Sequence, residues 1–234
     1  MIMLYRLINK IQYYYNRRSS KSYIRFLRNC GITIGEGTYI QSPLDTEIDN
    51  TRPSLVTIGK NCFINNYFEI HTHDWVTHVF LNLERDFVNS SGRVTIGNNV
   101  AFGRHVMVLK GVTIGDNCFI GANSVVSKDI PANSIAVGCP AKVIMSIEEY
   151  YQKRINVCEE EALDYARSIQ ERFGRKPIPA DFWEEFYLFV SGNEVTKYPE
   201  IPIKQQLGPI YNRYIMEHKA KYNSFEDFLK AAGI

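Results

Sequence analysis

The sequence from Ile96 to Ile130, IGNNVAFGRHVMVLKGVTIGDNCFIGANSVVSKDI, repeats with a period of six residues. Each repeat opens with an apolar residue and carries a small or aliphatic residue at its fifth position. The fourth position holds residues that tolerate a positive φ angle, namely Asn99, His105, Gly111, Asn117, Asn123 and Asp129. A period of six fits neither an α-helix nor a plain alternating strand. It predicts a mainly β fold, a solenoid of short strands and tight corners with the first residue of every repeat turned inward.

Weaker copies of the repeat lie upstream, and two stretches interrupt them. Hexapeptides begin at Ile34, Ile58 and Ile64, and they place Gly37 and Asn61 at corners, whereas Tyr67 is an exception to the pattern. Residues 41–55 and 71–93 fit no hexapeptide, so we predict that they are loops leaving the coil. A long loop inside a regular solenoid is usually functional or disordered, and the aromatic and histidine content of 71–93 favours function.

Helical spacing flanks the repeat on both sides, which gives three predicted regions: 1–30 helical, 31–145 solenoid, and 146–234 an α-helical tail. The first region contains an amphipathic stretch in which Leu4, Leu7, Ile8, Ile11 and Tyr15 recur at helical spacing, and then SYIRFLRNC, which ends at Gly31. In the tail we predict a helix over 146–173, a second from the capping box Asp181–Glu184, and a last one from Ser224. The tail would cap the coil or form a lobe beside it.

Composition limits the possible functions. The net charge of +2 gives no electrostatic reason to expect a nucleic-acid partner. The five cysteines lack metal-type spacing and favour a reducing compartment, with Cys62 and Cys118 as packing residues at the fifth position. There is no signal-peptide pattern and no apolar run of membrane-spanning length, so a cytoplasmic location is expected. The basic N-terminal stretch favours packing on the coil, with weak association to an anionic membrane as the alternative.

The hexapeptides, the sequence THDW after Ile70 and the closing run IGANSVVSKDIPANSIAVGCPAKVI resemble the left-handed β-helix acyltransferases. The likeness covers residues 31–145 and is to the branch of maltose, galactoside and xenobiotic acetyltransferases, which includes polysaccharide O-acetyltransferases. The resemblance implies a left-handed coil, a homotrimer, acetyl-CoA as the acyl donor in a groove between neighbouring coils, and a histidine base in a loop. It implies no metal.

Acetyl transfer to a hydroxyl requires a base near neutral pH, which histidine supplies. His71 and His73 follow the inward Ile70 and are expected to point outward, and His73, with Asp74 to orient it or the acceptor, is the predicted base. In the sugar and xenobiotic branches the histidine often lies two residues later, where this chain has Trp75, so His71 stays an alternative. Trp75 and His78 are predicted to touch the acceptor. His105 is predicted to be a corner residue and His218 to be solvated or packed in the tail.

For the donor, the resemblance points to one set of coil residues: Arg104, Gly111, Gly121, Ala122, Ser127, Lys128 and Lys142. The glycines would let pantetheine approach the backbone, and the cations would face the phosphates. No glycine-rich nucleotide loop is present. Lys128 fits a solvated surface charge equally well.

Four alternatives to a sugar or polysaccharide-precursor O-acetyltransferase remain open. Within the transferases these are an amino-sugar N-acetyltransferase and an antibiotic acetyltransferase. Outside them, a zinc-dependent carbonic anhydrase of the gamma type would use histidines from neighbouring chains, and a scaffold without catalysis would bind no CoA compound.

Overall fold

The structure, a computed structural model, describes residues 10–234. Of the apolar positions predicted at helical spacing, Leu4, Leu7 and Ile8 lie outside the described residues, whereas Ile11 and Tyr15 are 58% and 61% exposed. Residues 10–16 are helical. The chain separates into two compact units, of which the first ends at Tyr151 and the second begins at Gln152. The predicted boundary at 146 stays a prediction.

Fourteen short strands in the described residues form three sheets. The first sheet contains β1 (Thr33–Ile34), β4 (Val56–Ile58), β7 (Val94–Ile96) and β10 (Thr113–Ile114). The second contains β2 (Tyr39–Ile40), β5 (Phe63–Ile64), β8 (Ala101–Phe102), β11 (Phe119–Ile120), β13 (Ser134–Val137) and β14 (Lys142–Ser146). The third contains β3 (Glu47–Ile48), β6 (Glu69–Ile70), β9 (Met107–Val108) and β12 (Val125–Val126).

From β1 to β12 successive strands visit the three sheets in turn, so this part of the chain makes a three-sided coil. Every strand pair is parallel except β13 with β14. The register stacks the first hexapeptide residues directly on one another, as in the column Ile34, Ile58, Ile96 and Ile114. This stacking confirms the predicted repeat and its mainly β, parallel organisation.

The core of the coil is built from the first and fifth hexapeptide positions. Ile114 is 1% exposed and Val126 is fully buried, as the inward orientation requires. Cys62 and Cys118 are buried free thiols among aliphatic neighbours, which confirms them as packing residues, and burial raises the pKa of both. Burial of this aliphatic column is the main stabilising term, because apolar area removed from water contributes about 25 cal/mol per Å².

Corners take positive φ where the fourth position predicts it. The first corner, between the first and second sheets, has this conformation at Gly37, Asn61, Asn99, Asn117 and Asn133. The second corner, between the second and third sheets, has it at Tyr67, His105 and Asn123. Tyr67 therefore adopts the corner conformation despite its bulk, and its ring stacks on His105 with centroids 4.4 Å apart.

The prediction for Asp129 was wrong, since its φ is not positive. Ile130 pairs with Ile114 of the first sheet although it comes only four residues after Val126, so Asp129 lies level with Thr113 and not in the middle of a corner. Its carboxylate accepts a hydrogen bond from the amide of Thr113 at 2.7 Å. The side chain thus satisfies a backbone donor of the coil below.

Asn117 offers a test of the corner geometry. Its φ is 57°, and its side chain joins Asn99 and Asn133 in a ladder of amide hydrogen bonds, each 2.9 Å long. Asn117→Gly keeps the backbone and loses only the exposed ladder, whereas Asn117→Val also forces a β-branched residue into the left-handed region. We expect the free energy of unfolding of the valine variant to be about 1–3 kcal/mol lower than that of the glycine variant. Chemical denaturation measures this difference, and equal stabilities would contradict the corner assignment.

The two interruptions differ from each other. Residues 41–55 were predicted as one loop, which is wrong in part, because β3 lies within them and pairs with β6. Ile48 comes eight residues after Ile40 instead of six, and this two-residue shift hid the strand in the sequence pattern. Ile48 is nevertheless buried in the coil, at 3% exposed. Residues 71–93 do leave the coil and contain α2 (Thr77–Asn82), which follows α1 (Ser20–Cys30) in chain order.

Helices flank the coil as the spacing predicted, with one exception. α1 ends at Gly31 in the left-handed conformation, and α3 (Ile147–Phe173) follows β14. The helix predicted from Asp181 is wrong, because short 3-10 turns, Pro179–Asp181 and Phe186–Leu188, occupy this stretch. The Asp181 carboxylate turns back to Arg175 and to the amide of Ile178, so it does not cap a following helix.

The second unit has its own aromatic core, which includes Phe182, Phe189, Phe225 and Phe228. Its remaining helical elements are the 3-10 turn Gly192–Lys197, α4 (Ile203–Leu207), the 3-10 turn Gly208–Ile210, α5 (Tyr211–Glu217) and α6 (Phe225–Ala231). Ser224 caps α6 as predicted, by accepting from the amide of Asp227. His218 packs on Tyr214 with ring centroids 4.2 Å apart. Among residues 10–234 no helix has the length and apolar character that a membrane span requires.

Candidate active site

The candidate active site lies at the third corner, between the third and first sheets, where β3 and β6 end side by side. Ile48 pairs with Ile70, and the amide of Asp49 donates to the carbonyl of Ile70 at 3.1 Å. The chain leaves the coil immediately after β6. Stacking of two coils therefore places Thr72 and His73 against Asp49, which lies 24 residues before His73 in the chain.

Asp49 and His73 form a hydrogen-bonded pair. The Nδ1 atom of His73 lies 2.8 Å from Oδ2 of Asp49, with side chains 22% and 8% exposed respectively. The same carboxylate accepts from the hydroxyl and amide of Thr51, at 2.6 and 2.9 Å, and from the amide and hydroxyl of Thr72. This carboxylate is held by donors on two loops, so it fixes the imidazole ring in place.

The charge of Asp49 determines which histidine nitrogen is free. Burial alone would raise the pKa of Asp49, but hydrogen bonds from Thr51, Thr72 and His73 together hold it well below its usual range. An ionised carboxylate only accepts hydrogen bonds, so Nδ1 of His73 carries the proton and donates it. The Nε2 lone pair is then available, which is the tautomer that a general base requires.

His71 has a different environment. Its Nε2 atom lies 2.9 Å from Oε2 of Glu69, and both side chains are close to half exposed. A solvated pair of this kind contributes little to stability or orientation. The Nε2 atom of His71 is engaged by the glutamate, so His71 is less suited than His73 to accept a proton from a substrate.

Asp74, predicted as an orienting residue, contacts the base of the loop and not His73. Its carboxylate accepts from the amide of Val76 at 3.0 Å, from the hydroxyl of Ser90 at 3.0 Å, and from the ammonium of Lys110. The hydrogen bond from Lys110 is the main cause that lowers the pKa of Asp74 to about 2. Together with the bridge between His73 and Ser91, these contacts clamp the two ends of the 71–93 loop.

A groove of about 530 Å³ opens over this pair, lined among others by Glu47, Asp49, Glu69, His71, His73 and Trp75. The Trp75 ring is 77% exposed, and its centroid lies 6.5 Å from that of His73, so it can form an apolar wall for a bound molecule. His78 does not line the groove. It lies on α2, and its Nε2 atom is 3.3 Å from the amide nitrogen of Asn82.

The residues predicted to bind the donor divide between two edges of the coil. Ser127 and Lys128 follow β12, and Gly111 precedes β10, so all three lie at the third corner with His73. Arg104, Gly121 and Ala122 lie at the second corner, where the amide of Asn123 donates to the carbonyl of Arg104 at 2.9 Å. Lys142 begins β14. One chain therefore does not bring all of these residues to one place.

The two glycines in this set differ. Gly111 has a φ of 80° and open space where a Cβ atom would lie, so the backbone there is accessible to a ligand. A Cβ atom on Gly121 would come within 2.6 Å of the Val137 side chain. Packing of the coil therefore explains Gly121 without a ligand.

Residues 93–128 match the bacterial transferase hexapeptide family, described as six repeats. Over 140 residues the chain is 39% identical to the galactoside O-acetyltransferase of Escherichia coli K12. The aligned residues make up 57% of this chain and 65% of that enzyme. Residues 93–128 of the chain therefore carry the repeats of this hexapeptide transferase family.

Two solved structures of hexapeptide-repeat proteins are also similar. A galactoside acetyltransferase in complex with coenzyme A is 30% identical, with a TM-score of 0.42 and coverage of 63% of this chain and 82% of that one. A Vibrio cholerae acetyltransferase complexed with acetyl coenzyme A is 27% identical, with a TM-score of 0.42 and coverage of 49% and 60%. The chain spans slightly less than two thirds of the Escherichia coli relative.

Two residues of the site escaped the sequence analysis. Asp49, the partner of His73, lay in a stretch taken for a loop, although the parallel between Ile48–Asp49 and Ile70–His71 was a usable signal. Lys110 clamps Asp74 and Ser90 from the next coil, and only the stacking of coils reveals that contact. In the described part of the chain, no three His, Cys, Asp or Glu side chains are grouped to hold a metal ion.

Proposed function

We propose that the protein is an acetyl-CoA-dependent O-acetyltransferase that acts on a sugar hydroxyl, with a precursor of a bacterial surface polysaccharide as the acceptor class. The hydrogen-bonded pair of Asp49 and His73, with the free Nε2 atom at the groove, is the observation that carries this proposal. The match of residues 93–128 to the hexapeptide transferase family and the name of the Escherichia coli relative support it.

In the proposed reaction, Nε2 of His73 takes the proton of the acceptor hydroxyl as its oxygen attacks the thioester carbonyl carbon. The carbon–oxygen bond forms and the carbonyl π electrons move to the oxygen, giving a tetrahedral oxyanion. Collapse of this intermediate re-forms the carbonyl and breaks the carbon–sulfur bond. The CoA thiolate leaves and takes the proton from the imidazolium. Between the two proton transfers, Asp49 stabilises the positive charge of the protonated ring.

The donor groove in this proposal lies between two chains of a homotrimer of left-handed coils. The third corner of one chain, with His73, Ser127 and Lys128, would face the second corner of its neighbour, with Arg104 and Ala122. The division of these residues between two edges of a single chain supports this arrangement. A cyclic oligomer repeats such a heterologous contact at every interface.

Mixed oligomers test this arrangement. His73→Asn inactivates the third corner and Ala122→Trp blocks the second, so either variant alone should be inactive. Co-expression of the two with different tags should restore about one quarter of the wild-type turnover, since random assembly leaves that fraction of interfaces with two intact edges. A mixture as inactive as its parents, in the presence of mixed oligomers, would contradict a shared site.

Thiol release from acetyl-CoA tests the activity itself. The purified chain is assayed with hexoses, nucleotide sugars, glycan fragments, amino sugars and aminoglycoside antibiotics, and the products are characterised by mass spectrometry and alkali treatment. An alkali-labile O-acetyl sugar is the expected product. An alkali-stable amide on an amino sugar or antibiotic would support N-acetylation instead, and no release with any acceptor would contradict the proposal.

A further inference from the structure

A second groove lies away from His73, between α1 and the first coil. Its volume is about 810 Å³, larger than the groove at the candidate active site. The helix α1 forms one wall, and residues 35–39 with Gln41 and Pro43 form the other. No step of the proposed acetyl transfer uses these residues.

The helical wall of this groove is strongly basic. Arg18, Lys21, Arg25 and Arg28 line it, and Glu36 is the one carboxylate in the lining. Arg28 donates to the carbonyls of Ile34 and Gly35, which fixes its guanidinium at the coil. The exposed side chains of Lys21 and Arg25 contact no carboxylate in the described part of the chain, so their charges are available to a ligand.

The groove is also preorganised and partly apolar. Ile24, Tyr39 and Pro43 contribute apolar surface to it. Arg17 fixes the approach of the helix, because its guanidinium lies between the rings of Tyr13 and Tyr23 and donates to the carbonyls of Pro43 and Thr46. The hydroxyl of Ser20 accepts from the amide of Ile40 at 2.9 Å. These contacts hold the basic wall in place before any ligand arrives.

Exposed tyrosines lie in the helical residues 10–16, which precede α1. Tyr13, Tyr14 and Tyr15 are 42%, 53% and 61% exposed, and the guanidinium of Arg18 stacks on Tyr15 at 3.8 Å. Tyrosine is enriched at membrane–water interfaces, because its ring is apolar and its hydroxyl is polar. Clustered lysine and arginine beside an amphipathic helix attract anionic lipid headgroups.

We propose that this groove, with Lys21 and Arg25 as the recognising cations, binds the phosphate of an anionic phospholipid and seats the protein on a membrane surface. The cations contact the phosphate, and the apolar lining accepts the adjoining glycerol and acyl carbons. The binding is electrostatic in its main part, so it weakens as salt rises. It does not depend on the acetyl-transfer chemistry.

Vesicle co-sedimentation of the full chain tests the proposal. The vesicles contain phosphatidylcholine alone or with about 30% phosphatidylglycerol, which supplies the anionic surface. We expect binding to the anionic vesicles only, and we expect Lys21→Gln with Arg25→Gln to lower the partition coefficient roughly 30-fold, from about fivefold for each cation lost. Tyr14→Ala with Tyr15→Ala should weaken binding further.

The matched control is Arg172→Gln with Lys219→Gln, which removes the same two charges from exposed positions outside the groove. It should bind as the unaltered chain does. If both double variants lost vesicle binding equally, net charge alone would explain the effect, and the proposed site would be overturned. Saturable binding of inorganic pyrophosphate that needs Lys21 and Arg25, without any binding to anionic vesicles, would overturn the lipid assignment.

Discussion

His73→Asn should lower the turnover number by about 10²–10⁴-fold, which is the usual contribution of a positioned general base. Asparagine retains a donor for the Asp49 carboxylate, so the fold of the third corner should persist. The Michaelis constant for acetyl-CoA should change much less, because the proposed role of His73 is proton transfer and not donor binding.

His71→Asn is the matched control for this experiment, since the two histidines are two residues apart and both line the groove. We expect it to retain most of the activity, because its ring pairs with the solvated Glu69. An active His73→Asn together with an inactive His71→Asn would move the base to His71. If both variants and His78→Asn stayed active, the histidine mechanism would have to be abandoned.

The coil could be predicted from sequence because its determinants are local and repeated. One inward residue and one corner residue recur every six positions, so a single deviation such as Tyr67 does not obscure the pattern. The strand β3 was missed for the opposite reason, since a two-residue shift removes Ile48 from the period although the stacked coil still buries it.

The candidate site was only half accessible from the sequence. Because side chains alternate along a strand, the inward Ile70 predicted that His71 and His73 face outward. The interruption of the repeat predicted that they lie in a functional loop. The orienting carboxylate was assigned to the neighbouring Asp74, but contact at the third corner runs between coils and not along the chain. Asp49 therefore contacts His73, and Asp74 contacts Lys110. The second unit was harder still, because its 3-10 turns carry no regular hydrophobic period.

Asp49→Asn should lower turnover by about 10²–10⁴-fold even though Asp49 never contacts the acceptor in the proposed mechanism. An ionised carboxylate fixes the proton on Nδ1 of His73 and stabilises the imidazolium, and a neutral amide does neither. If the amide NH₂ donates to Nδ1, the proton moves to Nε2 and the base is lost, an effect of about 10⁴-fold where an aspartate–histidine pair has been altered in this way. Affinity for acetyl-CoA should be nearly unchanged, and circular dichroism should show a folded chain.

Asp74→Asn is the matched variant, with the same carboxylate-to-amide change on the other side of His73 in sequence. It releases the clamp from Lys110 and Ser90 but leaves the imidazole paired with Asp49, so turnover should fall less than about tenfold. Hydrogen–deuterium exchange should instead rise in residues 71–93 as the loop ends loosen. The reverse order, a severe loss of turnover in Asp74→Asn and a mild loss in Asp49→Asn, would show that a rearranged loop brings Asp74 to the histidine during the reaction and that the pairing seen here is not the catalytic one.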